Sequence, residues 1–353
     1  MSILPSILTV LSLQVKTIAG FPTTEAGYDL GVSACYAGVI DDHIIMAGGC
    51  NFPEPGKKKY YAGIYAAKAS SEKLDWKLIG FLPEPAAYGG VVARGDSLVF
   101  IGGNNAEHSL SSVLSLHLDK EGKAEIHPLP DLPVTADNMA LAVASDDALY
   151  VIGGNQDGKA SGAVWQMQPG EAWEKIAEIP GDPRVQPVCQ AIDGGLYIWG
   201  GFYADGLKST VPTEGCRYDL ANKTWSMLPS PCDAQGTPLT LTGATSIAVN
   251  VEGHPEMICL GGVNKEIFWD AISGTYSLVE KENYLKRPVE WYKFSGNLLR
   301  FDVKKGCWQE HPAYHQSLAR AGAQVVVSGD TFYYIGGELK PSVRTNEIVG
   351  FKL

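Results

Sequence analysis

A Gly-Gly pair recurs six times along the chain, each time at the end of an apolar run, and that repetition leaves few folds open. The pairs are Gly48-Gly49, Gly102-Gly103, Gly153-Gly154, Gly200-Gly201, Gly261-Gly262 and Gly336-Gly337. Runs such as Ile44-Ile45-Met46-Ala47, Leu98-Val99-Phe100-Ile101 and Phe332-Tyr333-Tyr334-Ile335 precede them. Upstream of these lies a second apolar strand and a turn, for example Asp41-Asp42, Arg94-Gly95-Asp96 or Asp193-Gly194-Gly195, which reads as a tight hairpin. Steps of 54, 51, 47, 61 and 75 residues between first glycines match the blades of a β-propeller, with insertions in the later ones.

After most pairs comes Trp76, Trp173, Trp225 or Trp308, followed by a proline-bearing stretch, and this marks an outer strand whose indole covers the seam to a neighbouring blade. The stretch Ala124 to Pro128 puts no Trp where one is expected. After Gly336-Gly337 only one more strand fits before Leu353. Gln14 to Pro22 resembles Trp76 to Pro83, so the N-terminus should supply the missing outer strand and remove a free sheet edge. The expected fold is therefore all-β: a six-bladed propeller in a single domain, residues 1–353, closed by the N-terminal strand.

The composition fits such a fold and narrows its partners. Hydrophobic residues are 45% of the 353 and charged residues 19%, with 40 Gly and 21 Pro, as in a folded protein with many turns. A net charge of −11, with no basic run longer than Lys57-Lys58-Lys59, argues against nucleic acid. The seven cysteines form no C-x-x-C pair and the seven histidines no ligand pair, so free thiols and no metal or cofactor are expected. Met1 to Leu13 is apolar but lacks a basic flank and a clear cleavage site, and it is too short to span a bilayer. A soluble, unexported chain with no membrane partner is the expectation, with a homodimer as the candidate assembly.

Loops that follow each Gly-Gly and those that open the next innermost strand emerge on one face of a propeller, where side chains can converge. Asn51, Asn104, Tyr88, Arg184 and Arg320 are the candidates there for binding a polar ligand. An insertion from Asn264 to about Gly296 should stand beside that face as a wall or lid, with partly helical spacing over Tyr276 to Arg287 that Pro288 would end.

The segment Gly337-Glu338-Leu339-Lys340-Pro341-Ser342-Val343-Arg344-Thr345 resembles the G-E-x-K-P-x-x-R-T segment of bacterial N-acetylneuraminate epimerases, the sialic acid mutarotases, which are kelch-type propellers. Gly261 to Phe268 and Pro183 to Gln186 extend the resemblance to nearly the whole chain. The Glu-bearing blade is last here rather than mid-chain, which resembles a cyclically permuted branch; a closed ring tolerates permutation because every blade keeps its neighbours. The resemblance implies a catalytic acid/base at Glu338, an essential arginine at Arg344, and a small sugar acid as substrate. Mutarotation removes a proton from the anomeric hydroxyl while the ring oxygen is protonated, which suits a positioned carboxylate. A guanidinium suits the sugar's own carboxylate. The alternative is a non-catalytic kelch module that binds a protein or glycan through the same face.

Overall fold

The computed structural model describes residues 13–353, so most of the apolar Met1 to Leu13 stretch lies outside the described residues. The described residues form six large antiparallel sheets, four of them four-stranded and two with a fifth short strand, besides one three-stranded and two two-stranded sheets. In the first, Tyr36–Ile40 is innermost, followed outward by His43–Ala47, Gly63–Lys68 and Lys77–Phe81. The other innermost strands are Gly90–Arg94, Ala140–Val143, Val185–Ile192, Ala244–Val251 and Gln324–Ser328. Each lies beside the next, and the last returns to the first, so the sheets surround one axis as in a β-propeller.

The inner strands read as unbroken apolar runs because both of their faces are covered. Strand side chains alternate, and each sheet sits between two others. Ile44 and Met46 pack towards the sixth sheet with Ile335 and Ile348, whereas Ile45 and Ala47 pack towards the second with Leu98 and Phe100. Six such clusters fill the six seams, so the core is distributed around the ring.

The glycine pairs tie the seams together. Gly48 has φ 59°, and a Cβ there would overlap the Ala86 carbonyl, which approaches from the next sheet to accept from Gly49 N–H at 2.8 Å. The same bond runs from Gly103, Gly154 and Gly262 to the sheet that follows each, and from Gly337 back to Val32 at 2.9 Å. A second girdle closes at the mouth. Ala34, Tyr88, Asn138, Gln186, Gly243 and Gly322 each donate a backbone N–H to the equivalent carbonyl one sheet back, and Ala34 takes Gly322 O at 2.8 Å. All six have φ between 53° and 69°. Below them runs a central channel of about 600 Å³ lined by all six innermost strands.

Lys16–Ile18 pairs with Ile348–Phe351 in the register Lys16 to Gly350 and Ile18 to Ile348, which gives the sixth sheet the outer strand expected from the N-terminus. The tryptophans do cover seams: Trp76 donates to Gly20 O at 3.3 Å, Trp173 to Pro130 O at 2.9 Å and Trp308 to Pro229 O at 2.9 Å. All seven cysteines are free. No helix among the described residues is long and apolar enough to cross a membrane.

The insertion differs in part from its expected form. Its longest helix is Lys265–Ile272, capped by the Asn264 side chain, which accepts from Ile267 N–H at 3.1 Å. Within Tyr276 to Arg287 only Lys281–Tyr284 is helical. Buried Asp270 explains the early turn, because its carboxylate accepts from Ser277 N–H, Ser277 Oγ and Leu278 N–H and fixes the chain in a loop there.

Candidate active site

Two hairpins meet at the mouth where the sixth sheet adjoins the first. One pairs Cys50–Glu54 with Lys57–Tyr60, and the other pairs Glu338–Lys340 with Val343–Arg344. Glu338 is anchored through its backbone: its N–H donates to Ala321 O at 2.7 Å, and its carbonyl accepts from Ala321 N–H at 2.9 Å. Register then does the rest, since Glu338 and Arg344 are direct cross-strand partners and their side chains emerge on the same side.

Their side chains form an ion pair between Arg344 Nη1 and Glu338 Oε2. Arg344 is 4% exposed and lies over the Phe52 ring at 5.1 Å. Its Nη1 makes contact with Glu338 without hydrogen-bond geometry, and its Nε has no acceptor among the described residues. A buried guanidinium with unused donors is costly unless a ligand meets them. Glu338 keeps 23% of its side chain exposed. Burial pushes its pKa above the ordinary carboxylate range, against the opposing pull of Arg344, Lys58 and the Ser342 backbone.

Aromatic residues wall the cleft. Tyr88 sits at the girdle with φ 61°, and the Cys50 thiol reaches its hydroxyl at 3.5 Å. Burial raises the Tyr88 pKa well above that of a free phenol, so the hydroxyl stays protonated. Across the cleft stand Tyr284 and Tyr292 of the insertion, both with pKa values raised by burial and by the nearby Glu338 charge. Lys340, one strand position beyond the glutamate, holds this wall: its Nζ donates to Leu285 O at 3.1 Å and Arg287 O at 2.6 Å.

The structure thus brings Glu338, Arg344 and Tyr88 together and gives three other candidate substrate contacts backbone partners elsewhere. Arg320 is 0% exposed, and its guanidinium donates to Gly336 O at 3.0 Å and Glu347 O at 2.8 Å, pairs with the Glu347 carboxylate, and stacks over Tyr334. Arg184 is buried in the same way, donating to Gly200 O at 3.0 Å and Glu214 O at 3.3 Å. Asn51 is buried, donating to Gly27 O and Gly31 O and accepting from Tyr61. All three are spent on holding loops. Asn104 lies beyond Tyr88, bridged to Ala87, with a buried side-chain oxygen that has no donor among the described residues. The residues not foreseen are Lys58, Tyr284 and Tyr292.

The chain is thus a propeller that carries a carboxylate and guanidinium pair at its mouth, with Tyr88, Tyr284 and Tyr292 nearby. The family model for N-acetylneuraminate epimerase matches residues 129–353, and the chain belongs to that family. It is 30% identical over 215 residues to N-acetylneuraminate epimerase 1 of Escherichia coli O6:H1, covering 56% of this chain and 55% of that protein. It is 28% identical over 234 residues to N-acetylneuraminate epimerase of Haemophilus influenzae strain PittEE, covering 64% and 59%. The match therefore spans little more than half the length of these relatives. Among solved structures, one described as the structure of YjhT aligns with a TM-score of 0.53 at 25% identity, covering 64% of this chain and 67% of that one.

Proposed function

We propose that this protein is an isomerase that interconverts the anomers of N-acetylneuraminate, with Glu338 as the base. The observation that carries this reading is the partly exposed Glu338 side chain paired with a buried Arg344 whose Nε lacks an acceptor among the described residues. Glu338 takes the proton of the anomeric hydroxyl as the bond from the anomeric carbon to the ring oxygen breaks. The electron pair leaves with the ring oxygen, which is protonated by solvent, and the anomeric carbon becomes a ketone. Rotation presents the other carbonyl face, and the reverse steps return the proton from Glu338. Arg344 stays protonated throughout and offers its fork to the sugar's carboxylate.

Family membership and the position of Glu338 at a cleft with tyrosine walls support this reading. The test is a proton NMR time course of freshly dissolved α-N-acetylneuraminate, with spontaneous mutarotation subtracted. Glu338→Gln keeps the shape but cannot accept a proton, so the catalysed rate should fall by roughly 10²-fold or more with little change in melting temperature. A near wild-type rate in that variant would leave a non-catalytic binding module as the better reading.

The changed blade order belongs to the same proposal, with residues 1–353 read as one propeller. The contiguous match to part of each relative supports it. Superposition on the solved relative after re-cutting the order of sheets should raise the aligned share above 64%; an unchanged share would count against permutation.

A further inference from the structure

Lys58 is the middle member of a three-lysine run whose other members are already engaged. Lys57 pairs with Glu54, and Lys59 donates to Ala26 O at 2.7 Å. Lys58 instead points its ammonium over aromatic rings, 4.3 Å from the Tyr88 centroid and 4.8 Å from that of Tyr60. No ion pair to Lys58 forms among the described residues. A cation on a ring face is held in place while its charge remains available to an anion.

Tyr88 is itself the unusual member of its set. The five equivalent girdle positions hold Ala34, Asn138, Gln186, Gly243 and Gly322, and only here does a large aromatic side chain occupy the left-handed region, at φ 61°. A residue kept in that conformation is held by its surroundings, here by backbone bonds to Ala34 O at 3.0 Å and from Asn138 N–H at 2.7 Å. The effect is to place an aromatic plate between the two hairpins, under the ammonium.

Charge counting then gives Lys58 a role. Glu338 and Arg344 cancel one another, and a sugar acid adds a second carboxylate to the same guanidinium. We propose that Lys58, seated on the Tyr88 and Tyr60 rings, is the residue that selects an anionic sugar, because it supplies the second positive charge that lets Arg344 serve two carboxylates at once. This rests on the mutarotase reading. Lys58 is a specificity residue, not a proton carrier.

The experiment compares N-acetylneuraminate with its methyl ester, which has the same ring and no charge. Binding of both is measured by NMR titration, and turnover of both by the mutarotation time course. Lys58 is solvent-exposed, so in Lys58→Gln the preference for the acid over the ester should fall about two- to fivefold, the range expected for one exposed ion pair. Lys58→Arg, which can also stack on a ring, should restore it. Lys57→Gln and Lys59→Gln should leave the preference unchanged.

The acid limb of kcat/KM gives a readout that a structural role would not move. The groups facing Glu338 are Arg344 from its own hairpin, Lys58 from the first sheet, Tyr88 from the second, and Tyr284 and Tyr292 from the insertion. Of these, Lys58 and Arg344 favour the ionised carboxyl, so Lys58→Gln should shift the limb to higher pH. If the wild type binds and turns over both ligands but Lys58→Gln keeps the full preference, the role of Lys58 is overturned while the mutarotase reading stands. If the wild type binds the acid with preference but turns over neither, the mutarotase reading fails and Lys58 is judged on binding alone. If the wild type shows no preference for the acid, Lys58 has nothing to select and the proposal is wrong.

Discussion

Three arginines near the mouth, Arg184, Arg320 and Arg344, have different fates, and the difference lies in which acceptors surround each. Arg184 and Arg320 both find the carbonyl of a first glycine sixteen residues ahead, Gly200 and Gly336. That equal spacing was present in the sequence and marks them as repeat-position residues that pin a seam. Arg320→Met should leave Glu347 without its counter-charge and lower stability by about 3 kcal/mol, read as an earlier thermal transition with no selective loss of sugar binding. Arg344 is the opposite case. Arg344→Lys keeps the charge but loses the planar fork, and it should weaken N-acetylneuraminate about tenfold while affecting a neutral sugar much less. Equal losses on both would count against carboxylate recognition. For Glu338, burial raises the folded pKa, so protonation is favoured in the native state and the acid limb of activity should lie above the ordinary carboxylate range. A pH profile of kcat/KM checks this, and the limb should vanish in Glu338→Gln.

Among the elements, the hairpin from Glu338 to Arg344 is the proposed seat of the chemistry, and strand register decides that these two side chains share a face. The segment was readable from its residues, but only the pairing shows that a bulge lies between Glu338 and Lys340 and that Lys340 turns towards the insertion. The insertion stands beside the hairpin and is partly helical within Tyr276 to Arg287 as expected, whereas its longer helix, Lys265–Ile272, was not foreseen. Apolar spacing over Tyr276 to Arg287 reflects tyrosines packed on one another, with Tyr284 against Tyr276, Trp291 and Tyr292. Since Lys340 is the tie between this wall and the Glu338 hairpin, Lys340→Met should release the wall. The expected result is a KM for N-acetylneuraminate raised several-fold with a smaller change in kcat, together with faster proteolysis between Leu278 and Lys293. Unchanged KM and proteolysis would show that the aromatic packing holds the wall unaided.

At the scale of the whole molecule, stability depends on the ring being closed. Three separate devices close it at the same seam: the Lys16–Ile18 strand, the Gly337 to Val32 bond and the Ala34 to Gly322 bond. Ile18 is buried in the cluster that joins the sixth sheet to the first. Ile18→Asp places an unpaired charge there and should cost about 3 kcal/mol or more, with a single cooperative transition at lower temperature, because opening one seam exposes both of its sheets. An unchanged melting temperature would mean that the outer strand contributes nothing to closure.

What the sequence by itself determined was the repeat: the apolar runs and the glycine pairs are local signals repeated six times, the outer-strand tryptophan recurs in four repeats, and repetition made them legible. It also marked Glu338 and Arg344, because they stand together in one short segment. The tertiary structure alone decided which polar loop residues meet. Arg184, Arg320 and Asn51 were expected beside Glu338, yet each donates to carbonyls from distant turns. Lys58 and Tyr88 come from different sheets, and Tyr284 and Tyr292 from an insertion far along the chain. Their convergence follows from ring closure, which brings the first sheet against the last. A residue's partners across a seam depend on that closure and not on its neighbours in sequence.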